Sequence, residues 1–243
     1  MNYYRALFKM NIPCDLVAVT DDLSAYELVI APILYMIKDG YDKTLRDYVG
    51  RGGHLITTYF SGYVDDSDLV YGAYPGKLRD ILGIWVEESD ALPENESNRF
   101  FYHENAHPAR ILCDLVHPEG AEVLAEYEED FYAGTPLLTV NEYGDGKAYY
   151  VGTSSDETFY SDFLQTVCTE CRIEGVFAPQ EQVEVTRRVN EKGSYLFILN
   201  HNAEAVSLTM ETDGIDVLRQ LHYQKGQVIT LSGKDVIIYK EYR

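Results

Sequence analysis

Positive charge is in short supply in this sequence. Forty acidic residues stand against twenty basic ones, a net charge of −20 over 243 residues. Such a surface repels phosphate backbones and anionic lipid, so nucleic acid and membrane are poor partners. No window approaches the roughly 18 uninterrupted apolar residues that mark a membrane-spanning helix. The opening MNYYRALFKMN has no apolar run of signal-peptide type. Cysteine is scarce as well: Cys14, Cys113, Cys168 and Cys171 are too few and too scattered for a disulfide framework. The chain therefore reads as reduced and cytoplasmic. Internal repeats and low-complexity tracts are also missing.

What remains is ordinary globular composition, 46% hydrophobic, in a chain long enough for one large domain or two ordinary ones. Its organising stretch runs from Tyr26 to Gly62. The β-branched run Leu28-Val29-Ile30-Ala31, stopped at Pro32, fits a strand buried on both faces. Tyr41 to Val49 follows helical spacing, with Leu45, Tyr48 and Val49 on one face and Asp42, Lys43 and Arg46 on the other. Gly50, Gly52 and Gly53 end that helix, where a left-handed cap costs glycine least. His54 to Phe60 is a second β-rich run. The order strand, helix, glycine cap, strand predicts a parallel βαβ unit.

Before it come a helix over Tyr3 to Lys9 and a short strand over Cys14 to Val19. After it, Tyr63 to Tyr74 reads as a polar loop and Lys77 to Leu82 as a short helix. Ile84 to Glu87 is a strand and Ser89 to Ser97 an acidic loop. Phe100 to His103, Arg110 to Val116 and Glu122 to Tyr127 are strands, the first two separated by Pro108. Pro136 to Tyr143 and Gly146 to Thr153 form a hairpin across Gly144-Asp145. Thr158 to Cys171 is an amphipathic helix with Phe159, Phe163, Leu164, Val167 and Cys168 inward. Beyond Gly175 the texture becomes all-β, with short runs at 183–188, 195–200, 206–209, 217–218, 227–231 and 236–239. The boundary falls near Ala178-Pro179-Gln180, giving an α/β domain over 1–178 and a small β-domain over 179–243.

No catalytic constellation stands out. Cys168-x-x-Cys171 lies late in a helix, whereas a redox pair belongs at a helix N-terminus, and zinc needs further ligands. The adjacent carboxylates Asp65-Asp66, Glu87-Glu88 and Glu128-Glu129-Asp130 point to opposite faces of a strand and suit solvent better than a glycosidase cleft. His54, His103, His107, His117, His201 and His222 show no metal spacing, and Pro108 argues against a helix shared by His103 and His107. Gly50-Arg51-Gly52-Gly53 follows a helix, so it is no phosphate loop. Ser61 sits just after a strand, where a nucleophile could lie, but the G-x-S-x-G elbow is absent. Catalytic, cofactor and metal residues are accordingly expected to number none. The unusual residue is tyrosine, twenty-one in all. Tyr63, Tyr71, Tyr74 and Tyr132 lie in loops, where they serve either an interface or sugar stacking, or else are half-buried strand residues.

Several segments together resemble the family 42 β-galactosidases. Val29-Ile30-Ala31-Pro32 with Leu34-Tyr35, Tyr48-Val49-x-x-Gly52-Gly53 and Thr57-Thr58-Tyr59-Phe60-Ser61-Gly62-x-Val64-Asp65 resemble their middle domain. So do Tyr74-Pro75-Gly76-x-Leu78-Arg79-Asp80-x-Leu82-Gly83-Ile84 and Gly144-x-Gly146-x-Ala148-x-Tyr150-Val151-Gly152-Thr153. Val183 to Arg188 and Phe197-x-x-Asn200-His201 are similar to their small C-terminal domain. The resemblance implies an amidotransferase-like (flavodoxin-like), doubly wound sheet domain that trimerises, followed by a small all-β sandwich. It also implies a (β/α)8 barrel as partner, carrying both catalytic glutamates, and nothing in this chain matches that barrel. A strand ahead of the first helix is implied too, so the chain is expected to begin inside the middle domain, as an excised piece or a truncated gene product. Two alternatives stay open: a free-standing amidotransferase-like hydrolase with its nucleophile near Ser61, and a carbohydrate-binding module using surface tyrosines.

Overall fold

The computed structural model describes residues 2–72 and 74–242. Contacts divide the chain into two units, one running from Val17 to Cys171, the other joining residues up to Leu16 with those from Arg172 onward.

In the Val17–Cys171 unit, strands Leu28–Ala31 (β1) and His54–Thr58 (β2) pair in parallel, Leu28 opposite His54 and Ala31 opposite Thr57. Helix Tyr41–Gly50 connects them and buries Leu45, Tyr48 and Val49. It is α2, since Asn2–Lys9 of the other unit is α1. The glycine cap forms as expected. Gly52 takes φ 104, and Gly53 lies so close under the Tyr48 ring that any Cβ there would meet ring carbons at 2.4 to 2.7 Å. β1 is an edge strand with only Val29 buried, and the strand buried throughout is β2, from Leu55 to Thr58. The apolar run at 28–31 therefore reflects one covered face and one sheet edge, not two covered faces. The outer face of α2 is not simply solvated either. Asp42 is buried, and Arg46 bridges it at 2.6 Å to Asp80 at 2.8 Å and Lys77 O at 2.8 Å.

A 3-10 turn, Gly76–Leu78, leads into α3 (Arg79–Leu82). The strands that follow are Ile84–Ala91 (β3), Asn98–Tyr102 (β4), Asn105–Pro118 (β5), Glu122–Glu126 (β6), Pro136–Tyr143 (β7), Gly146–Val151 (β8) and Thr153–Ser154 (β9). Helix α4 spans Glu157–Glu170, with Asp156 capping it by accepting from Phe159 N. The main sheet runs β1-β2-β8-β7-β6, in which the β1–β2 and β2–β8 pairs are parallel and β7 alone runs the other way, antiparallel to both β8 and β6. Both faces are covered. Tyr150 of β8 belongs to the cluster that includes Leu45 of α2 and Ile81 of α3, while its neighbour Tyr149 meets Phe163 of α4 at 5.8 Å. A second sheet orders β3-β5-β4, with β9 beside β5.

Several local expectations change here. Residues 14–19 form no strand, because Leu16 is 97% exposed and the segment has no ladder partner among the described residues. β2 stops at Thr58, two residues early, since Phe60 turns left-handed at φ 61. β3 continues through the expected acidic loop to Ala91, across a bulge between Val86 and Ser89 that keeps it paired to β5. Pro108 lies inside β5. Over 105–109 that strand pairs only with β4, so a residue without an N–H is tolerated on its free side. Of the 63–74 loop, Ala73 lies outside the described residues.

In the other unit α1 buries Tyr3, Ala6 and Leu7, and Asn11, in left-handed conformation at φ 53, turns the chain after it. Asn11 is buried, donating to Phe177 O at 3.3 Å and accepting from Val185 N at 3.0 Å. The strands are Val183–Asn190 (β10), Gly193–Asn200 (β11), Val206–Thr209 (β12), Gly214–Asp216 (β13), Leu221–Tyr223 (β14), Val228–Leu231 (β15) and Val236–Glu241 (β16). A five-stranded sheet β10-β11-β16-β13-β14 and the pair β12-β15 share one core, from Val185, Ile198 and Tyr239 on one side to Leu208 and Ile229 on the other. That is a sandwich. The strand expected at 217–218 falls instead at β13, because the Asp216 carboxylate accepts from Leu218 N at 2.9 Å and turns the chain. Strand β14 has no counterpart among the expected runs.

Candidate functional site

The C-terminal ends of parallel strands are where sheets of this kind carry their sites. Here β1 and β2 end in a lashing of hydroxyls. Thr58 Oγ1 accepts from Ile33 N at 2.8 Å, and Ser61 Oγ accepts from Leu34 N at 2.9 Å and lies 2.6 Å from Thr57 Oγ1. Ser61 is fully buried, and its partners are backbone amides and a threonine hydroxyl, none of them a base. The residue at the left-handed elbow after β2 is Phe60, whose side chain has no nucleophilic atom. Ser61 is thus a strand-end clasp. Its replacement by alanine is expected to cost about 2 kcal/mol, because Leu34 N is left unpaired. Urea unfolding checks this, and a change below a few tenths of a kcal/mol would contradict it.

Outside the clasp lies an aromatic layer. Tyr63 stacks on Tyr35 at 5.8 Å and meets Phe60 and Tyr74 edge-on at 5.5 Å each. Ile33, Tyr35, Leu69 and Val70 of the two segments that build it are exposed, at 48%, 40%, 67% and 53%. Of the loop tyrosines, Tyr63 and Tyr71 are half-buried, whereas Tyr74 and Tyr132 are buried. The latter pair serve the core rather than a contact surface.

Tyr74 connects this surface to a group that no motif announces. Its hydroxyl donates to Asp114 Oδ2 at 3.1 Å, Tyr150 donates to the same oxygen at 2.5 Å, and Ser89 donates to Oδ1 at 2.5 Å. Asp114 is completely buried, and burial pushes its carboxyl up to about 6 although the three hydroxyls pull it down. The available signal was a single acid in the apolar run Ile111-Leu112-Cys113-Asp114-Leu115-Val116.

The other flagged residues are not brought together. Cys168 lies in α4 and Cys171 just past its end, and burial pushes their thiols up to about 11 and about 12, so both stay protonated. His103 occupies the turn after β4. His107 is buried on β5, with Nδ1 3.2 Å from Asp156 Oδ1. Glu88, Glu128, Glu129 and Asp130 are exposed. Glu87, also exposed, pairs with His117 at 2.7 Å, and Asp65 caps its own loop through Ser67 N at 2.9 Å. Among the described residues no group of three or more His, Cys, Asp or Glu is placed to hold a metal ion. No helix among them is long and apolar enough to cross a membrane. A polar cleft of about 340 Å³ beside the end of α2 is lined by Asp22, Ser24, Tyr26, Glu27, Thr44 and Arg51 among others, and in it the exposed Ser24 hydroxyl donates to Asp22 Oδ2 at 2.7 Å, a local turn contact with no histidine in the lining.

Comparison with known proteins accounts for this arrangement. The family described as the β-galactosidase trimerisation domain matches residues 1–174, and the β-galactosidase C-terminal domain matches residues 182–241. The β-galactosidase BgaP of Planococcus sp. (strain L4) is 46% identical over 243 residues, covering 97% of this chain and 36% of that protein. The crystal structure of the β-galactosidase from Bacillus circulans sp. alkalophilus superposes with a TM-score of 0.95 at 39% identity, covering 99% of this chain and 37% of that one. A family 42 β-galactosidase from G. stearothermophilus gives 0.94 at 31%, covering 100% and 36%. The chain spans little more than a third of the length of these relatives. It belongs to the family 42 β-galactosidases, and what it holds of their architecture is the trimerisation domain and the C-terminal domain.

Proposed function

We propose that this chain is the assembly portion of a retaining β-galactosidase, building a homotrimer that supports the catalytic barrels of the full-length enzyme. The observation that carries this reading is the ordered match of a trimerisation domain over residues 1–174 and a C-terminal domain over 182–241. Hydrolysis of terminal β-D-galactosides then belongs to the barrel, and this chain contributes shape and contact area.

The aromatic layer over β1 and β2 supports an assembly role, because exposed apolar groups beside tyrosine rings suit protein contacts. On this reading the larger fold is amidotransferase-like, with helices on both faces of a sheet whose parallel part ends in a turn at Phe60. The domains divide near residue 178. Family boundaries fall close to that point, although by contacts α1 lies with the second unit. A cytoplasmic setting goes with the four scattered cysteines.

Light scattering on a sizing column is expected to give three chains of 27.7 kDa. The same sample is expected to leave a chromogenic β-galactoside unhydrolysed. A monomer would count against assembly by this portion, and steady turnover would overturn the non-catalytic reading.

A further inference from the structure

Two isoleucines of the Val17–Cys171 unit hold a left-handed backbone, Ile33 at φ 50 and Ile111 at φ 71. A β-branched side chain crowds its own backbone there, so the conformation is strained and persists only where the surroundings impose it. Both side chains nevertheless face water, Ile33 being 48% and Ile111 57% exposed. Folding of the chain by itself therefore gains little from either. Ile33 is held by Thr58 Oγ1, which accepts from its N–H at 2.8 Å. Ile111 sits in an irregularity of β5, between Arg110 opposite Ser154 and Cys113 opposite Thr153, and its carbonyl accepts from Leu92 N at 2.9 Å. Irregularities of this kind re-aim a side chain out of the sheet.

The surroundings of the two are complementary. Ile33 belongs to a face in which backbone bonds hold three segments side by side. Tyr35 O accepts from Tyr63 N at 3.0 Å, Tyr63 O from Tyr71 N at 3.1 Å and Leu69 O from Asp65 N at 2.9 Å. The face joins exposed Tyr35, Leu69 and Val70 to Asp66 and Asp68, also exposed. Ile111 follows Arg110, an exposed cation whose side chain has no ion pair or hydrogen bond among the described residues. One surface is thus apolar with an acidic rim, and the other is an apolar knob beside a positive charge. Copies of a chain with net charge −20 repel one another, so they meet best where charge is matched. A ring of three also needs two different surfaces on each copy, because every junction is head-to-tail. Both surfaces emerge at one end of the main sheet, Ile33 after β1 and Ile111 beside β9, which follows β8.

We propose that the junction between copies seats Ile111 of one chain, with Arg110 beside it, on the Ile33–Tyr35–Leu69–Val70 face of the next, where Asp66 and Asp68 meet the guanidinium. This rests on the assembly reading above and gives that assembly its contact surface. Ile33 and Ile111 are the apolar anchors of the junction, and their strain is offset when water leaves them.

The experiment compares the 243-residue chain with two variants by light scattering over a concentration series, with circular dichroism to confirm folding. Ile111→Asp removes the knob, and Leu69→Arg sets a like charge against Arg110. Each should raise the dissociation constant about 30-fold or more, the loss typical of a central anchor. Mixing the two variants should then yield pairs of chains, because the intact knob of Leu69→Arg fits the intact face of Ile111→Asp. A trimer that either variant leaves unchanged overturns the proposal while the assembly reading stands, and so does a mixture that stays monomeric. If Ile111→Asp fails to fold, Ile111→Gly, which suits the left-handed backbone, decides in its place. A wild type that is itself monomeric overturns the assembly reading and this junction with it.

Discussion

Replacing Phe159 by alanine is expected to lower the stability of the Val17–Cys171 unit by about 4 kcal/mol, among the largest effects open to one substitution here. Phe159 sits in the first turn of α4, fully buried, and holds an aromatic group together. Its ring meets Phe100 of β4 at 5.1 Å and Tyr102 at 5.7 Å edge-on, and lies parallel to Phe163 at 5.6 Å. The buried His107 ring lies 5.7 Å away. Removing the ring loses its transfer energy and leaves a cavity among stiff neighbours that cannot collapse into it. The second sheet would suffer first, since β4 reaches the core through Phe100 and Tyr102. Calorimetry should show a melting temperature lower by roughly 10 °C for a unit of this size. Phe159→Leu, which keeps most of the volume, should cost about a third as much. A loss under about 1 kcal/mol for alanine would mean that the aromatic group repacks freely, against this account.

Asn200→Ala should come close behind, at about 3 kcal/mol from the sandwich unit. Asn200 ends β11 with its side chain 2% exposed. Its Nδ2 donates toward Glu204 O at 2.9 Å, Ser232 O at 2.9 Å and Leu231 O at 3.2 Å, while Oδ1 accepts from Asn202 N at 2.9 Å. One amide therefore satisfies the backbone on both sides of the gap between β11 and the end of β15. Alanine has neither group, so several backbone partners stay buried and unpaired, which costs more than the bonds themselves contribute. Asn200→Asp should be nearly as harmful, because a carboxylate cannot donate to carbonyls. Urea unfolding with an unchanged m-value and a lowered midpoint is the expected signature. A neutral Asn200→Asp would refute the donor role.

These two cases differ in how much was visible beforehand. Phe159 falls on the inner face of its helix from spacing alone, because a 3.6-residue period is a local signal. Asn200 was part of a resemblance without a role, and its role depends on carbonyls up to thirty-two positions away. Pro108 misled for a related reason. Proline forbids a donor, but whether a donor is needed depends on how many neighbours the strand has at that point. The run at 14–19 misled in the opposite direction, since β-branched residues make a strand only where a partner is waiting.

Local periodicity, caps and turns in the sequence were enough to determine α2, α4, the parallel pair β1–β2, the Gly144-Asp145 hairpin and the all-β character beyond residue 175. The ordered motifs were enough to point to the family. Those features arise from neighbours within a few residues, which the chain carries with it. Tertiary structure alone decided the rest: that β1 lies at an edge, that Ser61 is a clasp, and that three hydroxyls from distant elements surround Asp114. A strand's place in its sheet and a carboxyl's access to water are set by partners far away in sequence, and only folding brings those partners into contact.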